Sequence, residues 1–167
     1  MKKPQKFSKL DEANRDGILI IDSGLGSVTL LKEVRNLLPN TPVTLIADSA
    51  EFPYGKKSPK EIVSRVCYLA EFFLPLTKPS TLLLACNTAS TVALPALREK
   101  FHLPVVGIVP AVKPASIFSK SGTIALLATP ETAKGPYVDD LINSYANHCN
   151  VIRIGCPNLA SIAEKKL

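Results

Sequence analysis

Residues 17–27 are Gly-Ile-Leu-Ile-Ile-Asp-Ser-Gly-Leu-Gly-Ser, and this stretch decides the fold. The apolar run from Gly17 to Ile21 is typical of a strand that is buried on both faces of a parallel sheet. A glycine-bearing turn follows, and apolar residues then recur at helical spacing over 28–38 until Pro39 ends the pattern. The stretch therefore predicts one strand-turn-helix unit.

The same alternation repeats along the rest of the chain. Helix 59–76 is predicted to begin with Ser58 as N-cap and Pro59 as first residue. We expect Pro95 to kink the helix that follows Cys86 and ends near residue 100. The other predicted strands are 43–47, 81–85, 105–109, 123–128 and 151–154, and the other helices are 111–120 and 131–146. This order predicts an α/β fold with a doubly wound parallel sheet.

Composition and charge exclude several classes of protein. Of the 167 residues, 46% are hydrophobic and 20% charged, which argues against a disordered or fibrous protein. Part of the net charge of +6 comes from a polar leader at residues 1–16, and the chain has no Trp, so we expect no nucleic-acid partner. No apolar stretch approaches bilayer length and no signal peptide is recognisable, so we expect a cytoplasmic protein with no membrane partner.

The spacing of cysteines and histidines argues against a metal site. The four cysteines form no Cys-x-x-Cys pair, and only two histidines are present. Cys67 in a helix and Cys149 before a strand are predicted to be structural. A dyad of Cys149 with His148 is disfavoured because adjacent residues on a strand point to opposite faces.

Ligands of open α/β sheets bind beyond the carboxyl ends of the strands, where this chain concentrates polar residues. They are Asp22-Ser23, Asp48-Ser49, Cys86-Asn87-Thr88, Thr129 and Cys156. Gly24 and Gly26 do not complete a dinucleotide fingerprint, because residue 29 is Thr. The turn that they form either directs backbone N–H groups toward an anion such as a carboxylate, or binds nothing.

Cys86 is the most informative residue, because it lies where a buried strand gives way to a helix. A helix N-terminus lowers the pKa of a thiol from about 8.5 and favours the thiolate. The alternative is that the thiol is a small hydrophobic group of the core. Donors at Asn87, Thr88 and Ser90 suit a carboxylate or amino group, and Asp22 is expected to reach the same edge as a proton-handling partner.

Taken together, four segments of the sequence resemble the glutamate racemase family, within the wider aspartate/glutamate racemases. They are Asp22-Ser23-Gly24-Leu25-Gly26, Phe52-Pro53-Tyr54-Gly55-Lys56-Lys57-Ser58-Pro59, Ala85-Cys86-Asn87-Thr88-Ala89-Ser90, and Ala128-Thr129 through Thr132 to Tyr137. The resemblance implies a racemase-like fold and the interconversion of L- and D-glutamate, without cofactor, by two cysteines on opposite faces of the substrate. It also implies a role in supplying D-glutamate for peptidoglycan.

The resemblance implies roles for individual residues. Cys86 matches the first catalytic cysteine, Asp22 its assisting carboxylate, and Glu164 an assisting acid near the second cysteine. The residues that match the substrate cradle are Ser23, Pro53, Tyr54, Gly55, Asn87, Thr88, Thr129 and Thr132. Two catalytic cysteines on opposite faces are chemically reasonable, because a single base returns the α-proton to the face from which it came and so leaves the handedness unchanged.

One departure from the family affects these expectations. The family's second catalytic cysteine lies in a Cys-Thr-His segment, which this sequence lacks, and Cys156 matches an earlier Cys-Pro position instead. We therefore expect a C-terminally truncated racemase that is nearly inactive alone, with exposed apolar surface that favours a homodimer. Expected domains are the leader 1–16, an N-terminal α/β domain at 17–109 that lacks its C-terminal return segment, and part of a second domain at 110–167.

Two other functions stay open. A non-catalytic module derived from a racemase would bind a carboxylate or a partner and would not need the thiol of Cys86. An aspartate-type racemase would differ only in its substrate.

Overall fold

The computed structural model describes residues 17–165, so the leader at 1–16 and the last two residues lie outside the described part. Strands and helices alternate throughout these residues. The strands are β1 (Ile18–Asp22), β2 (Val43–Ala47), β3 (Thr81–Leu84), β4 (Val105–Gly107), β5 (Thr123–Ala128) and β6 (Asn150–Gly155). The helices are α1 (Ser27–Leu37), α2 (Pro59–Thr77), α3 (Asn87–Lys100), α4 (Val112–Phe118), α5 (Pro130–Lys134), α6 (Pro136–Tyr145) and α7 (Leu159–Glu164). The predicted α/β class is therefore confirmed.

The first four strands form one parallel sheet in the order β2-β1-β3-β4. Its central strand is buried on both faces, as predicted, since Leu19, Ile20 and Ile21 are fully buried. Helices α2 and α3 pack against each other and contribute Ile62 and Leu97, among other residues, to the core cluster that also contains Leu19 and Ile21. Most of the buried hydrophobic residues of the described chain belong to this sheet and the elements packed on it.

A second, smaller sheet pairs β5 with β6 in parallel. Helix α4 packs against β5 and α6, and α5 packs against both strands of this sheet. Residues of β5 alternate between exposed and partly buried, whereas all residues of β6 except Val151 are exposed. The small sheet is thus much less covered than the four-stranded one.

One sequence expectation about the helices is wrong. The single helix expected at 131–146 is divided into α5 and α6, because Pro136 lacks an N–H group and holds Gly135 in an extended conformation (φ −71°, ψ 149°). Helix α1 forms where the apolar spacing predicts it, and Val28 and the C-cap residue Leu38 are exposed. Helix α3 is continuous through Pro95.

The start of α2 follows the expected pattern closely. Ser58 is the N-cap and its hydroxyl accepts a hydrogen bond from the Glu61 backbone N–H, while the Glu61 carboxylate accepts one from the Ser58 N–H at 2.8 Å. This reciprocal capping box fixes the point at which the loop after β2 enters α2.

The carboxyl ends of three adjacent strands are tied together by backbone hydrogen bonds. The Asp48 N–H donates to the Asp22 carbonyl, and the Ala85 N–H donates to the Ile21 carbonyl, both at 2.8 Å. Asp22, Asp48 and Cys86 are therefore brought to one edge of the sheet.

The described residues contain neither a membrane-spanning helix nor a group of metal-binding side chains. No helix there has the length and apolar character needed to cross a bilayer. Within residues 17–165, no three His, Cys, Asp or Glu side chains are grouped as ligands of a metal ion would be.

Candidate active site

A cavity of about 980 Å³ opens beyond the carboxyl ends of β1, β3 and β5, between the two sheets. Every residue that the family resemblance assigns to the site lines it: Asp22, Ser23, Pro53, Tyr54, Gly55, Cys86, Asn87, Thr88, Thr129, Thr132 and Glu164. Apolar residues of the β4–α4 connection and of β5, such as Val109 and Leu126, line another part. The cavity thus combines polar groups with an apolar lining, as small-molecule sites do.

Cys86 caps the N-terminus of α3 at the floor of the cavity. Its Sγ accepts a hydrogen bond from the Ala89 N–H at 3.5 Å and lies 3.6 Å from the Ser23 hydroxyl. The side chain is 9% exposed. The expectation that its pKa is lowered is wrong: burial raises the pKa of the Cys86 thiol, Asp22 raises it further, and the N–H groups of Ala89 and Thr88 do not compensate. The sulfur is therefore a protonated thiol at neutral pH.

Asp22 ends β1 and lies beside Cys86. Its Oδ1 accepts a hydrogen bond from the Ser23 N–H at 2.7 Å and is 3.5 Å from the Ser23 hydroxyl. Burial raises the pKa of Asp22, and the negative charge of Glu164 adds to this, while hydrogen bonds from Ser23 and Ser27 oppose it. Ser23 consequently lies between a carboxyl group and a thiol that both bind their protons more tightly than usual.

The glycine turn after β1 does face an anion, and that anion belongs to the chain itself. The Leu25 N–H donates to Glu164 Oε1 at 3.0 Å. A Cβ at Gly24 would lie 2.5 Å from Glu164 Oε2 and 2.8 Å from the Phe52 ring, so the close approach requires glycine. Glu164 of α7 is thereby held at the end of β1, near Asp22.

Three threonine hydroxyls form a cluster that links the two sheets. Thr88 in the first turn of α3 lies 3.2 Å from Thr129, which donates to Thr132 at 2.9 Å, and Thr132 lies 3.4 Å from Thr88. Thr129 is also the N-cap of α5. Gly55 packs closely against this cluster, since a Cβ there would lie 2.6 Å from Thr129 Cγ2. The cluster offers hydroxyl donors and acceptors to the cavity.

Tyr54 is held differently from what sequence reasoning suggested. It is 1% exposed, and its hydroxyl donates to Asp48 Oδ2 at 2.6 Å. Burial and the Asp48 charge raise the pKa of Tyr54, so the hydroxyl keeps its proton for that bond. Asp48 also forms an ion pair with Arg65 of α2, a residue that no motif marked.

Several candidate residues lie away from the cavity lining. Ser90 is fully buried and its hydroxyl donates to the Leu84 carbonyl at 3.0 Å, so the expectation that it contacts a ligand is wrong. Cys67 is buried in α2, whereas Cys149 and Cys156 are partly exposed near β6. None of these four residues lines the cavity.

Comparison with known proteins identifies the family. Residues 18–166 match the family model of the Asp/Glu/Hydantoin racemases. The chain is 46% identical to glutamate racemase from Shewanella oneidensis over 150 residues, covering 90% of this chain and 55% of that protein. It is also 46% identical over 153 residues to glutamate racemase from Salmonella gallinarum, covering 92% of this chain and 54% of that protein. The chain thus spans about half the length of these relatives.

Solved structures give the same result. Escherichia coli glutamate racemase, in complex with L-glutamate and the activator UDP-MurNAc-ala, matches with a TM-score of 0.85 and 43% identity, covering 91% of this chain and 57% of that one. Glutamate racemase from Aquifex pyrophilus matches with a TM-score of 0.77 and 34% identity, covering 90% and 59%. The chain therefore belongs to the glutamate racemase family of the Asp/Glu/Hydantoin racemases.

Proposed function

We propose that this chain forms the substrate cleft of a glutamate racemase and that Cys86 transfers the α-proton on one face of the substrate. The observation that carries the proposal is the position of the Cys86 sulfur, in the cavity and 3.6 Å from Ser23, with Asp22 on the other side of that serine. Family membership and the L-glutamate bound to the Escherichia coli relative support the choice of substrate.

The proton transfer begins from the protonated thiol. Asp22 takes up the thiol proton through the Ser23 hydroxyl, and the resulting Cys86 thiolate removes the α-proton of glutamate. The thiol is thereby restored, and the substrate becomes a carbanion, which the buried site stabilises by excluding water and by fixed dipoles. Burial raises the pKa of Asp22, which makes its carboxylate a better acceptor for the thiol proton of Cys86.

The cradle residues bind the polar groups of glutamate. Asn87 is exposed in the cavity, and the hydroxyls of Thr88, Thr129 and Thr132 converge on one point of it. These groups supply donors for a carboxylate and acceptors for an ammonium group, with no cofactor required. Because the cluster joins the two sheets, substrate binding would also hold the sheets together. We further propose that the two sheets belong to two different α/β domains, which are divided near residue 110.

Inversion needs a proton donor on the opposite face, which the family supplies from a Cys-Thr-His segment that is absent from this sequence. We therefore propose that the 167-residue chain exchanges the α-hydrogen without inverting the centre. In a longer protein with both cysteines, the product would be D-glutamate for bacterial peptidoglycan, made in the cytoplasm.

The test is incubation of the purified chain in D₂O with L-glutamate and D-glutamate separately. Proton NMR measures loss of the α-proton signal, and chiral chromatography measures inversion. The expected result is slow deuterium incorporation into one enantiomer with no detectable inversion. Full racemisation by the purified chain would contradict the assignment of Cys86 to one face only.

A second candidate is a non-catalytic carboxylate-binding module, which is favoured by the membership of the buried Cys86 side chain in the hydrophobic core cluster. It predicts unchanged glutamate binding in Cys86→Ser and no α-deuterium in either enantiomer. An aspartate-type racemase would show the same exchange with aspartate in place of glutamate, which a substrate screen in D₂O distinguishes.

A further inference from the structure

The carboxylate of Asp48 is buried, and both of its oxygens accept hydrogen bonds from other side chains. Arg65 Nε donates to Asp48 Oδ2 at 2.8 Å, and Arg65 Nη2 donates to Asp48 Oδ1 at 2.6 Å. The guanidinium therefore binds both carboxylate oxygens in a forked, bidentate contact. The Tyr54 hydroxyl donates to Oδ2 at 2.6 Å. Asp48 is 5% exposed and does not line the cavity, so it is not a group that binds the ligand directly.

Arg65, Asp48 and Tyr54 form a cluster that connects the solvent-exposed side of α2 to residues that line the cavity. Arg65 is partly exposed and lies 5.6 Å from the centre of the Tyr68 ring on the same helix. Tyr54, at the opposite end of the cluster, is buried in the core with Cys86 and lies between Pro53 and Gly55, which line the cavity. The position of the loop after β2 thus depends on the orientation of the Asp48 carboxylate.

A role in stability alone does not explain the arrangement well. Placing a charged carboxylate in a core is costly, and apolar replacements of a buried ion pair are often as stable or more stable. Burial raises the pKa of Asp48, but the hydrogen bonds and charge of Arg65 and the Tyr54 hydroxyl outweigh burial and hold the pKa below its usual value. The carboxylate therefore stays charged and oriented, which is what a positioning group needs.

We propose that Arg65 is a positioning residue, whose forked contact orients Asp48 to receive the Tyr54 hydroxyl and so fixes the Pro53–Gly55 wall of the substrate cleft. The effect on glutamate binding rests on the function proposed above, whereas the effect on Tyr54 does not. Arg65 contacts neither the thiol nor the cavity and acts only through Asp48 and Tyr54.

The experiment uses the 167-residue chain labelled with 3-fluorotyrosine, which gives one ¹⁹F resonance for each of four tyrosines. Tyr54→Phe assigns the Tyr54 resonance. Arg65→Met removes the fork, and Arg65→Lys keeps the charge but cannot bind both oxygens in the same plane. Arg98→Met is the matched control, because Arg98 uses the same two nitrogens, Nε and Nη2, on the Val105 carbonyl, away from Tyr54.

The expected result is a Tyr54 resonance displaced or broadened in Arg65→Met, and less so in Arg65→Lys, with no change in Arg98→Met. Glutamate affinity, measured by calorimetric titration with each enantiomer, should fall about tenfold in Arg65→Met, as for loss of one hydrogen bond to a charged group. An unmoved Tyr54 resonance in either Arg65 variant, or the same displacement in Arg98→Met, would overturn the proposal. If Arg65→Met does not fold, Arg65→Lys provides the decisive spectrum.

The two proposals fail in different ways. A wild-type chain that neither binds nor exchanges glutamate would refute the proposed function, while the Tyr54 resonance would still decide the role of Arg65. A displaced Tyr54 resonance with unchanged glutamate affinity would overturn the claim that Arg65 shapes the cleft, without affecting the proton-transfer proposal.

Discussion

The two sheets of this molecule differ in how well they are covered, and the proposed proton-transfer groups lie at the ends of strands of the better covered one. In the four-stranded sheet, Leu82 and Leu84 of β3 are fully buried beneath the helices. In the two-stranded sheet, Leu127 of β5 and Ile152 of β6 are about half exposed. The candidate thiol follows the first kind of strand, whereas the second sheet adds hydroxyl groups through Thr129 and Thr132. The proposed proton-transfer groups thus lie on the better packed scaffold, which suits groups that need fixed positions.

The largest effect expected from this difference is on stability. Leu84→Ala removes a fully buried side chain directly before the site and should lower the free energy of unfolding by about 2–5 kcal/mol. Leu127→Ala makes the same change in β5, where the side chain is 52% exposed, and should cost less than about 1 kcal/mol. Urea denaturation measures both values, and equal losses in the two strands would show that the sheets are equally covered.

A smaller effect on stability is expected from the charge of Asp22. The pKa of Asp22 is raised in the folded state, chiefly by burial, so the folded chain binds this proton more tightly than the unfolded chain does. The carboxylate therefore destabilises the fold at neutral pH, and stability rises as pH falls through the raised pKa toward the ordinary value. Asp22→Asn should raise the melting temperature at pH 7, and the gain should disappear below about pH 4.

The control for this prediction lies on the less covered side of the molecule. Asp140 of α6 is exposed, so Asp140→Asn should leave the melting temperature nearly unchanged at both pH values. A melting temperature of Asp22→Asn at or below that of the wild-type chain at pH 7 would contradict the view that the buried charge is costly.

The sequence was sufficient for those features that depend on local pattern. The apolar run before Asp22 and the polar residues after the strands predict that Asp22, Asp48 and Cys86 share one edge of the sheet, as they do, because strand ends in a parallel sheet share a direction. The N-cap at Ser58 is likewise predictable, because it depends only on the four neighbouring residues from Ser58 to Glu61.

Features that depend on the assembled fold were missed. The pKa of Cys86 is set by burial and by Asp22, which is distant in sequence, so the helix N-terminus alone gave the wrong direction. Arg65 meets Asp48 only because α2 packs beside β2, and no short motif records that contact.

The most direct test of the account compares the α-deuterium content of glutamate after incubation in D₂O with the wild-type chain, Cys86→Ser and Cys67→Ser. Cys67 is a matched control because it is equally buried, at 9% exposed, but lies in α2 away from the cavity. We expect deuterium in one enantiomer with the wild-type chain and with Cys67→Ser, and none above background with Cys86→Ser. Equal incorporation by Cys86→Ser and the wild-type chain would contradict the central claim that the Cys86 sulfur moves the α-proton.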